Sequence, residues 1–375
     1  MNYLFYISLA ALVYTYIGYP ILVFLLSKLI YIPVVKDTEF TPNVSVIIIV
    51  YNGEFFLEKK INNILNSHYP AGKLDLFILS DGSTDGTASI LKRYENKIKY
   101  KLVTERRGKS ACLNDAVSSV DSDYIVFADV RQEFEKDTIR NLISPLADTT
   151  VGAVSGELVF IDDDHNAFSK GIDAYWRYEK LIRNCEAKIS SVIGVTGAVY
   201  SIKKSLYTPI PEGVILDDVL IPMQVIMSGY RVIFESSAVA YDKPSNDELN
   251  EKNRKVRTLA GNYQLVSLNP ALLNPVKNKL FIQFVSHKIL RLLGPLFLIS
   301  IFISNLLLLD QGVIYSIMFL SQILLYTLCV LNKYQLFTSI SRYLIVRVIN
   351  TFVLLNWYSL LGFIEYIKGR RTHLW

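Results

Sequence analysis

The sequence predicts an α/β domain set between apolar ends, and three observations predict it. Val44 to Val50 is a near-continuous apolar strand of the kind a parallel sheet buries on both faces. Strand-like and helix-like segments then alternate through the middle of the chain, which argues for a doubly wound, mostly parallel sheet. The long apolar runs lie at the two ends, while the middle reads as an ordinary globular domain.

In order along the chain, Leu4 to Ile32 is an apolar run whose only charge is Lys28. It is too long for a signal-peptide core and long enough to cross a bilayer, so it is expected to be a transmembrane anchor. Basic residues follow it (Lys28, Lys36) and none precede it. The positive-inside rule then places the N-terminus outside and the middle domain in the cytoplasm, against the plasma or inner membrane. After the first strand, Phe55 to Asn66 has helical spacing. Leu74 to Leu79 reads as a strand, Thr87 to Tyr94 as a helix and Tyr124 to Ala128 as a strand. A further helix opens at Asp217-Asp218 and stops at Gly229. Ile289 to Leu309 and Val313 to Leu331 are two more apolar spans, joined by the uncharged-to-acidic turn Asp310-Gln311-Gly312. Lys333 returns the chain to the cytoplasmic side. Tyr343 to Ile367 follows Arg342 and ends in Lys368, Gly369, Arg370 and Arg371. Its internal Arg347, Asn350, Asn356 and Glu365 leave a full crossing and an interfacial or re-entrant path both open. The division expected is 1–35 anchor, 40–245 catalytic domain, 246–288 amphipathic interface helices and 289–375 transmembrane or interfacial helices.

Bulk properties exclude several classes. The chain has 375 residues, is 51% hydrophobic and carries a net charge of +5. Its Lys and Arg residues form no nucleic-acid stripe, so no nucleic-acid partner is expected. Three cysteines without a Cys-x-x-Cys spacing suggest neither a disulfide framework nor a zinc site. No Gly-x-Gly-x-x-Gly follows the first strand, which excludes a dinucleotide-dependent dehydrogenase.

Chemistry concentrates at the predicted strand ends, where ligands of such sheets bind. Phe77 to Thr87 reads FILSDGSTDGT: an apolar strand breaks into carboxylates and hydroxyls around two glycines. Ser83, Thr84 or Asp85 suits a helix N-cap. Asp81, at the strand tip, suits the donors of a nucleotide base or ribose. Gly108-Lys109-Ser110 matches the end of a P-loop, but Val103 stands where its first glycine is needed. Arg107 and Lys109 are left as a solvated basic loop or as partners of a diphosphate. Asp129 ends a strand two residues before Arg131 and suits one ligand of Mg²⁺ or Mn²⁺, which take one or two carboxylates plus phosphate oxygens. Asp217-Asp218 interrupts an apolar run. One carboxylate is expected to cap the helix, and the other, close to apolar surface that raises its pKa, to act as a general base. Arg254, Lys255, Arg257 and Gln264 lie on a basic segment before the membrane spans. It suits an anionic lipid surface, or Arg257 or Gln264 closing over a diphosphate. His287 is expected to be structural.

The order of these motifs resembles the membrane-bound inverting glycosyltransferases of family 2, relatives of cellulose, chitin and hyaluronan synthases. SVIIIVYNGE, SDGSTDGT, RRGKSACLN, VFADV, GVTGAVYSIKK, LDDVLIPMQVIMSGYRV and RKVRTLAGNYQ follow one another over nearly the whole chain. The resemblance implies a GT-A catalytic domain that uses a nucleotide sugar, UDP-linked, with Mg²⁺ or Mn²⁺. It implies Tyr51, Glu54 and Asp81 in the base pocket, and Lys109 and Asp129 at the diphosphate and metal. Asp218 is then the base that deprotonates the acceptor, Gly197 shapes the acceptor site, and Asp217 replaces the Glu of the family's acidic pair. Arg254, Arg257 and Gln264 take the place of a gating segment.

The chain departs from the pattern at three places. Arg131 stands where the second metal-side Asp is expected. Val50 and Gly53 break the usual Pro-Ala-Tyr-Asn-Glu. The Gln-x-x-Arg-Trp of the processive synthases is absent. The expected activity is transfer to a polysaccharide or lipid-linked acceptor with inversion, in exopolysaccharide or cell-envelope synthesis, beside export or regulatory subunits. Single-sugar transfer to a lipid phosphate or lipid-linked oligosaccharide, and a non-catalytic scaffold, are the alternatives.

Overall fold

Seven apolar residues in a row, VSVIIIV, make β1 (Val44–Val50), and every one is buried. A strand buried at successive positions must be covered on both faces, and the sheet built around it is. The structure, a computed structural model, describes residues 1–161, 167–243, 248–333 and 343–369. Ahead of β1 runs α1 (Asn2–Leu29). After it come α2 (Glu54–Leu65), β2 (Leu74–Asp81), α3 (Thr87–Arg93), β3 (Lys99–Val103), α4 (Lys109–Ser118) and β4 (Tyr124–Ala128). The second half adds β5 (Glu133–Phe134), α5 (Thr138–Ile143), β6 (Val151–Phe160), α6 (Ala167–Ile189), β7 (Val199–Lys203), α7 (Asp217–Met227) and β8 (Arg231–Asp242).

The eight strands form one sheet in the order β3-β2-β1-β4-β7-β6-β8-β5. β3, β2, β1 and β4 are mutually parallel. β7 runs antiparallel to both β4 and β6, β6 pairs with β8 in parallel, and β5 is antiparallel to β8. The sheet is therefore parallel in its first half and mixed in its second. Side chains alternate faces along a strand, and β1 shows this directly. Ile47 and Ile49 join the core under α4 and α7. Val44, Val46, Ile48 and Val50 join the core under α2, α3 and α5. The carboxyl ends of the neighbouring strands β2, β1 and β4 consequently bring Asp81, Tyr51 and Asp129 to one edge.

Beyond the sheet lie α8 (Glu248–Leu268), α9 (Phe281–Leu292), α10 (Gly294–Leu306), α11 (Val313–Lys333) and α12 (Leu344–Ile367). Among the described residues three helices are long and apolar enough to cross a membrane: Asn2–Leu29, Val313–Leu331 and Leu344–Ile367. The expected span Ile289 to Leu309 is instead broken, with α9 and α10 meeting at 57°. Pro295 sits in the first turn of α10. It has no N–H to continue the preceding helix, and it starts a new one readily. The 13 residues of α10 rise about 20 Å, short of the roughly 30 Å of a hydrocarbon core. Tyr343 to Ile367, left open by the sequence, forms a single helix. Its Gly362 backs onto α8, where an added Cβ would lie 2.9 Å from the Ala260 nitrogen. Tyr263 of α8 packs its ring on Phe363 and Tyr366. The flanking cations Arg342, Arg370 and Arg371 lie outside the described residues.

Candidate active site

The polar run after β2 laces two loops together. Ser83 Oγ accepts the Asn52 N–H at 3.0 Å, and Thr87 Oγ1 accepts the Gly53 N–H at 2.9 Å. Asn52 Oδ1 accepts the Thr84 N–H at 2.8 Å. Asp85 accepts the Glu54 N–H at 3.0 Å and the Thr87 N–H at 3.1 Å, so one carboxylate serves the first turns of α2 and α3 together. Glu54 reciprocates by accepting the Gly86 N–H at 2.9 Å. Partial removal from water is the largest single influence on Asp85 and raises its pKa, but these bonds together outweigh it and hold the carboxylate below its ordinary value. Gly86 has no room for a side chain, since a Cβ would meet the Glu54 carboxylate at 2.6 Å.

Asp81 is fully buried, and its two oxygens accept the backbone N–H groups of Arg107 at 2.7 Å and Gly108 at 2.9 Å. It therefore fixes the loop that carries Arg106, Arg107 and Lys109, rather than lying open at a pocket floor. Glu54 is likewise engaged within the loops. Gly108 takes the left-handed φ of 91° that this loop needs before α4. Tyr51 lies under the Arg106 guanidinium, 3.7 Å from its ring centroid. Arg107, paired with a diphosphate as one expectation, turns outward to Asp115 at 2.8 Å and Glu212 at 3.8 Å. Arg106 faces inward instead. The sequence offered no way to choose between adjacent arginines, because Asp115 reaches Arg107 only through the helical path of α4.

Lys109 opens α4 and is flanked by two carboxylates, Asp129 at 3.4 Å and Asp217 at 3.2 Å. Burial disfavours its charge, yet Asp129, Asp217 and Asp218 outweigh burial and raise its pKa. Asp217 and Asp218 occupy the first turn of α7. The N-cap is Leu216, without a side-chain bond, so neither carboxylate caps the helix as the sequence suggested. Both sit where the helix dipole favours anions. Asp217 is buried. Asp218 is pushed up to about 6, by burial first and Asp217 second, against the pull of Lys109 and Lys288.

The 194–198 loop lies against these acids. The Val195 N–H donates to the Asp218 carbonyl at 2.8 Å. A Cβ on Gly197 would lie 3.3 Å from Asp218 Oδ2. Gln264 of α8 clamps the approach to α7: its Nε2 donates to the Gly213 carbonyl at 2.8 Å and its Oε1 accepts the Ile215 N–H at 3.0 Å. Both ends of that amide are used on backbone, so Gln264 clamps the segment that leads into the acids. Arg254 is spent within its own helix on Glu251 at 2.6 Å. Arg257 has no ion pair among the described residues and lies within Coulombic reach of Asp217, Asp218 and Asp129, its pKa lowered by burial against them.

Arg131, in place of the expected second metal-side carboxylate, bonds Asp242 at 2.5 Å. Lys60, missed in the sequence, is buried over the Phe134 ring and donates to the Gln132 carbonyl at 2.6 Å. Burial lowers its pKa to about 7. Among the described residues no three His, Cys, Asp or Glu side chains form a closed metal cage. Asp129 and Asp217 are the carboxylates available, which fits a divalent ion completed by phosphate oxygens of a ligand.

Comparison with known sequences identifies the middle of the chain. Residues 45–205 match the family described as glycosyl transferase family 2. The chain carries a family 2 glycosyltransferase domain. Among curated relatives, a probable glycosyltransferase, YdaM, of Bacillus subtilis (strain 168) is 23% identical over 213 residues, covering 54% of this chain and 51% of that protein. A beta-monoglucosyldiacylglycerol synthase of Synechocystis is 24% identical over 152 residues, covering 38% of this chain and 32% of that protein. The chain thus spans about half the length, or less, of these relatives. Among solved structures, a mannosyltransferase of Pyrobaculum calidifontis in complex with GDP-Man and Mn²⁺ superposes with a TM-score of 0.74 at 22% identity, covering 98% of this chain and 99% of that one. The domain accordingly has the GT-A fold, and the likeness in fold extends through the apolar helices.

Proposed function

We propose that this protein is a membrane glycosyltransferase that moves a sugar, with inversion, from a nucleotide sugar to a polysaccharide or lipid-linked acceptor in cell-envelope glycan synthesis. The observation that carries the reading is Lys109 held between Asp129 and Asp217, with Asp218 beside them and Gly197 pressed against it. A lysine between carboxylates is preorganised to meet a diphosphate and a cation together. Arg106 and Arg257 add positive charge on the same side.

The residues divide the work by position. Tyr51 and Arg106 form a stacked platform at the tip of β1, suited to a base. Lys109 and Arg257 stabilise the leaving diphosphate as its charge develops. Asp129, with Asp217, would hold Mg²⁺ or Mn²⁺, which neutralises the leaving group when bound. Asp218 takes the proton of the acceptor hydroxyl. The acceptor oxygen bonds to the anomeric carbon as the bond from that carbon to the diphosphate oxygen breaks, and the electron pair leaves with the nucleoside diphosphate. Attack from the face opposite the leaving group inverts the configuration. We assign the catalytic domain to the cytoplasm, where nucleotide sugars are made, with the flanking helices in the plasma or inner membrane. The division 1–35, 40–245, 246–288 and 289–375 is kept on this reading, and export or regulatory subunits are assigned to the exposed membrane helices.

The test is nucleoside diphosphate release by the full chain in nanodiscs, across UDP- and GDP-sugars with Mg²⁺ or Mn²⁺. GDP-mannose belongs in the panel beside the expected UDP-sugars because the full-length structural relative was solved with it. One donor is expected to turn over, and Asp218→Asn to reduce its use ~10²- to 10⁴-fold, the range for loss of a general base. Full transfer by a folded Asp218→Asn variant would remove the assigned base.

A further inference from the structure

One cleft in the second half of the domain contains none of the residues assigned above to the donor. It has a volume of about 450 Å³ and opens between the end of β6, helix α6 and the 194–198 loop, with Glu157, Arg177, Glu179, Lys180, Arg183 and Thr196 in its wall. Its two carboxylates are already matched. Glu157 pairs with Lys180. Glu179 pairs with Arg291 and lies 2.9 Å from His287 Nε2, and these partners hold it well below the ordinary carboxylate range although burial opposes that.

Its two arginines are not matched. Arg177 is exposed and forms no ion pair among the described residues. Arg183 donates hydrogen bonds to neutral oxygens alone, Ser155 Oγ at 2.7 Å, Thr196 Oγ1 at 3.2 Å and the Gly194 carbonyl at 3.5 Å, and Glu179, Glu186, Asp218 and Glu157 lie within Coulombic reach without forming an ion pair with it among the described residues. Its guanidinium lies 4.9 Å from the Phe234 ring centroid. Lys288 of α9 also forms no hydrogen bond or ion pair among the described residues, and it lies within Coulombic reach of Arg183, Asp218 and Glu179. Cations withdrawn from water without a paired anion are costly. A bound anion would offset that cost, and the planar fork of an arginine matches phosphate oxygens two at a time.

The position of the cleft says which substrate would bring the anion. Thr196, which touches Arg183, directly precedes Gly197, the residue pressed against Asp218. The Thr196 side of the cleft is thus one residue from the glycine that packs on the base, and neither Tyr51 nor Arg106 is in the wall. Its α6 wall is also tied to the apolar helices. Tyr19 of α1 donates to Glu186 at 2.5 Å, and His287 Nδ1 lies 2.9 Å from the same oxygen.

We propose that this cleft seats a phosphate or pyrophosphate carried by the acceptor, gripped by Arg183 and Arg177 with Lys288, so that the acceptor's hydroxyl is presented to Asp218. The proposal rests on the glycosyltransferase reading above. Two acceptors carry both a phosphate and a free sugar hydroxyl, a membrane-embedded lipid-linked sugar phosphate and a water-soluble sugar phosphate, and a polyprenyl phosphate reproduces the anchoring group of the first.

Calorimetric titration of the full chain in nanodiscs tests it and separates the two sources. UDP and GDP with Mn²⁺ are titrated first, as a readout of the donor site. A long-chain polyprenyl phosphate, the same polyprenol without phosphate, and glucose 1-phosphate follow. The polyprenyl phosphate is expected to bind ~10-fold or more tighter than the polyprenol, the scale of one charge-assisted hydrogen bond. Arg183→Met and Lys288→Met are each expected to erase that preference. Arg177→Met, on the exposed rim, serves if Arg183→Met fails to fold. Tight binding of glucose 1-phosphate that the same substitutions abolish would support the site and assign it to a soluble acceptor. Nucleotide binding with equal affinity for polyprenol and its phosphate would overturn the cleft alone, as would a preference that survives the substitutions. No binding of either nucleotide would overturn the reading beneath it and the proposal with it.

Discussion

The loops at the tips of β1 and β2 and the cleft beyond β6 treat polar side chains in opposite ways. In the first region Asn52, Glu54, Asp81, Ser83, Asp85 and Thr87 all spend their oxygens on backbone N–H groups of the neighbouring loop. In the second, Arg183 is buried against neutral oxygens with no carboxylate paired to it. The first region is a finished frame whose geometry does not depend on a ligand. The second is an unfinished one whose electrostatics want a ligand. A site for a small, constant group such as a nucleotide gains from rigidity, whereas the acceptor side of a transferase must release a larger product.

Asp218 stands between these regions and gives the largest expected effect. Its folded pKa of about 6 lies above the ordinary 3.8. Proton binding therefore stabilises the fold fully below about pH 4, and that contribution is lost as the pH rises through about 6. Transfer runs the other way, since the base works only when ionised, and kcat/KM is expected to rise through about pH 6. Asp218→Asn should be nearly inactive yet melt higher than wild type at about pH 8, by an amount on the order of 1–3 kcal/mol, with the gap closing near about pH 4. A flat pH–rate profile, or a variant that melts lower at about pH 8, would remove Asp218 from the boundary. Next in size is Gly86→Ala, which drives a Cβ into the Glu54 carboxylate. A loss of about 1–3 kcal/mol is expected in denaturant unfolding. Hydrogen exchange should quicken at the tips of β1 and β2 before it does in α6, and uniform quickening would mean the two regions are not separate. The smallest effect is expected from Arg106→Ala, which removes the partner of Tyr51. A cation–π pair of about 1 kcal/mol predicts a roughly fivefold rise in donor KM with kcat held. A fall in kcat instead would place Arg106 at the reacting atoms.

The same contrast explains what the sequence shows. The first half reads well because its signals are local. Continuous apolar strands give β1, β2 and β4 nearly residue for residue, and each motif lies within a few positions of the strand end that presents it. The acidic pair at Asp217-Asp218 was legible for the same reason. The antiparallel β7, by contrast, depends on pairing with β4 across the span from Ala128 to Val199, which no local pattern encodes. Arg183 stands in a helix of ordinary amphipathic composition, and nothing in its neighbours announces Ser155, Thr196 or Lys288. The clamp made by Gln264 was not legible, because the backbone it holds at Gly213 and Ile215 comes from about fifty residues earlier. The break at Pro295 was hidden inside a run apolar enough to be taken as one span.

The pair Arg131–Asp242 constrains how this chain can change. Asp242 is almost wholly buried and also accepts a bond from Gln132 Nε2 at 2.8 Å. Exchanging Arg131 for Asp in a single step would set two carboxylates together and strip the buried one of its counter-charge, at a cost of several kcal/mol. Exchanging Asp242 first costs less, because the Arg131 side chain is 41% exposed and water can take the place of the lost carboxylate. The pair therefore sets an order of change: a second carboxylate at the end of β4 becomes tolerable only once the buried Asp242 has been replaced.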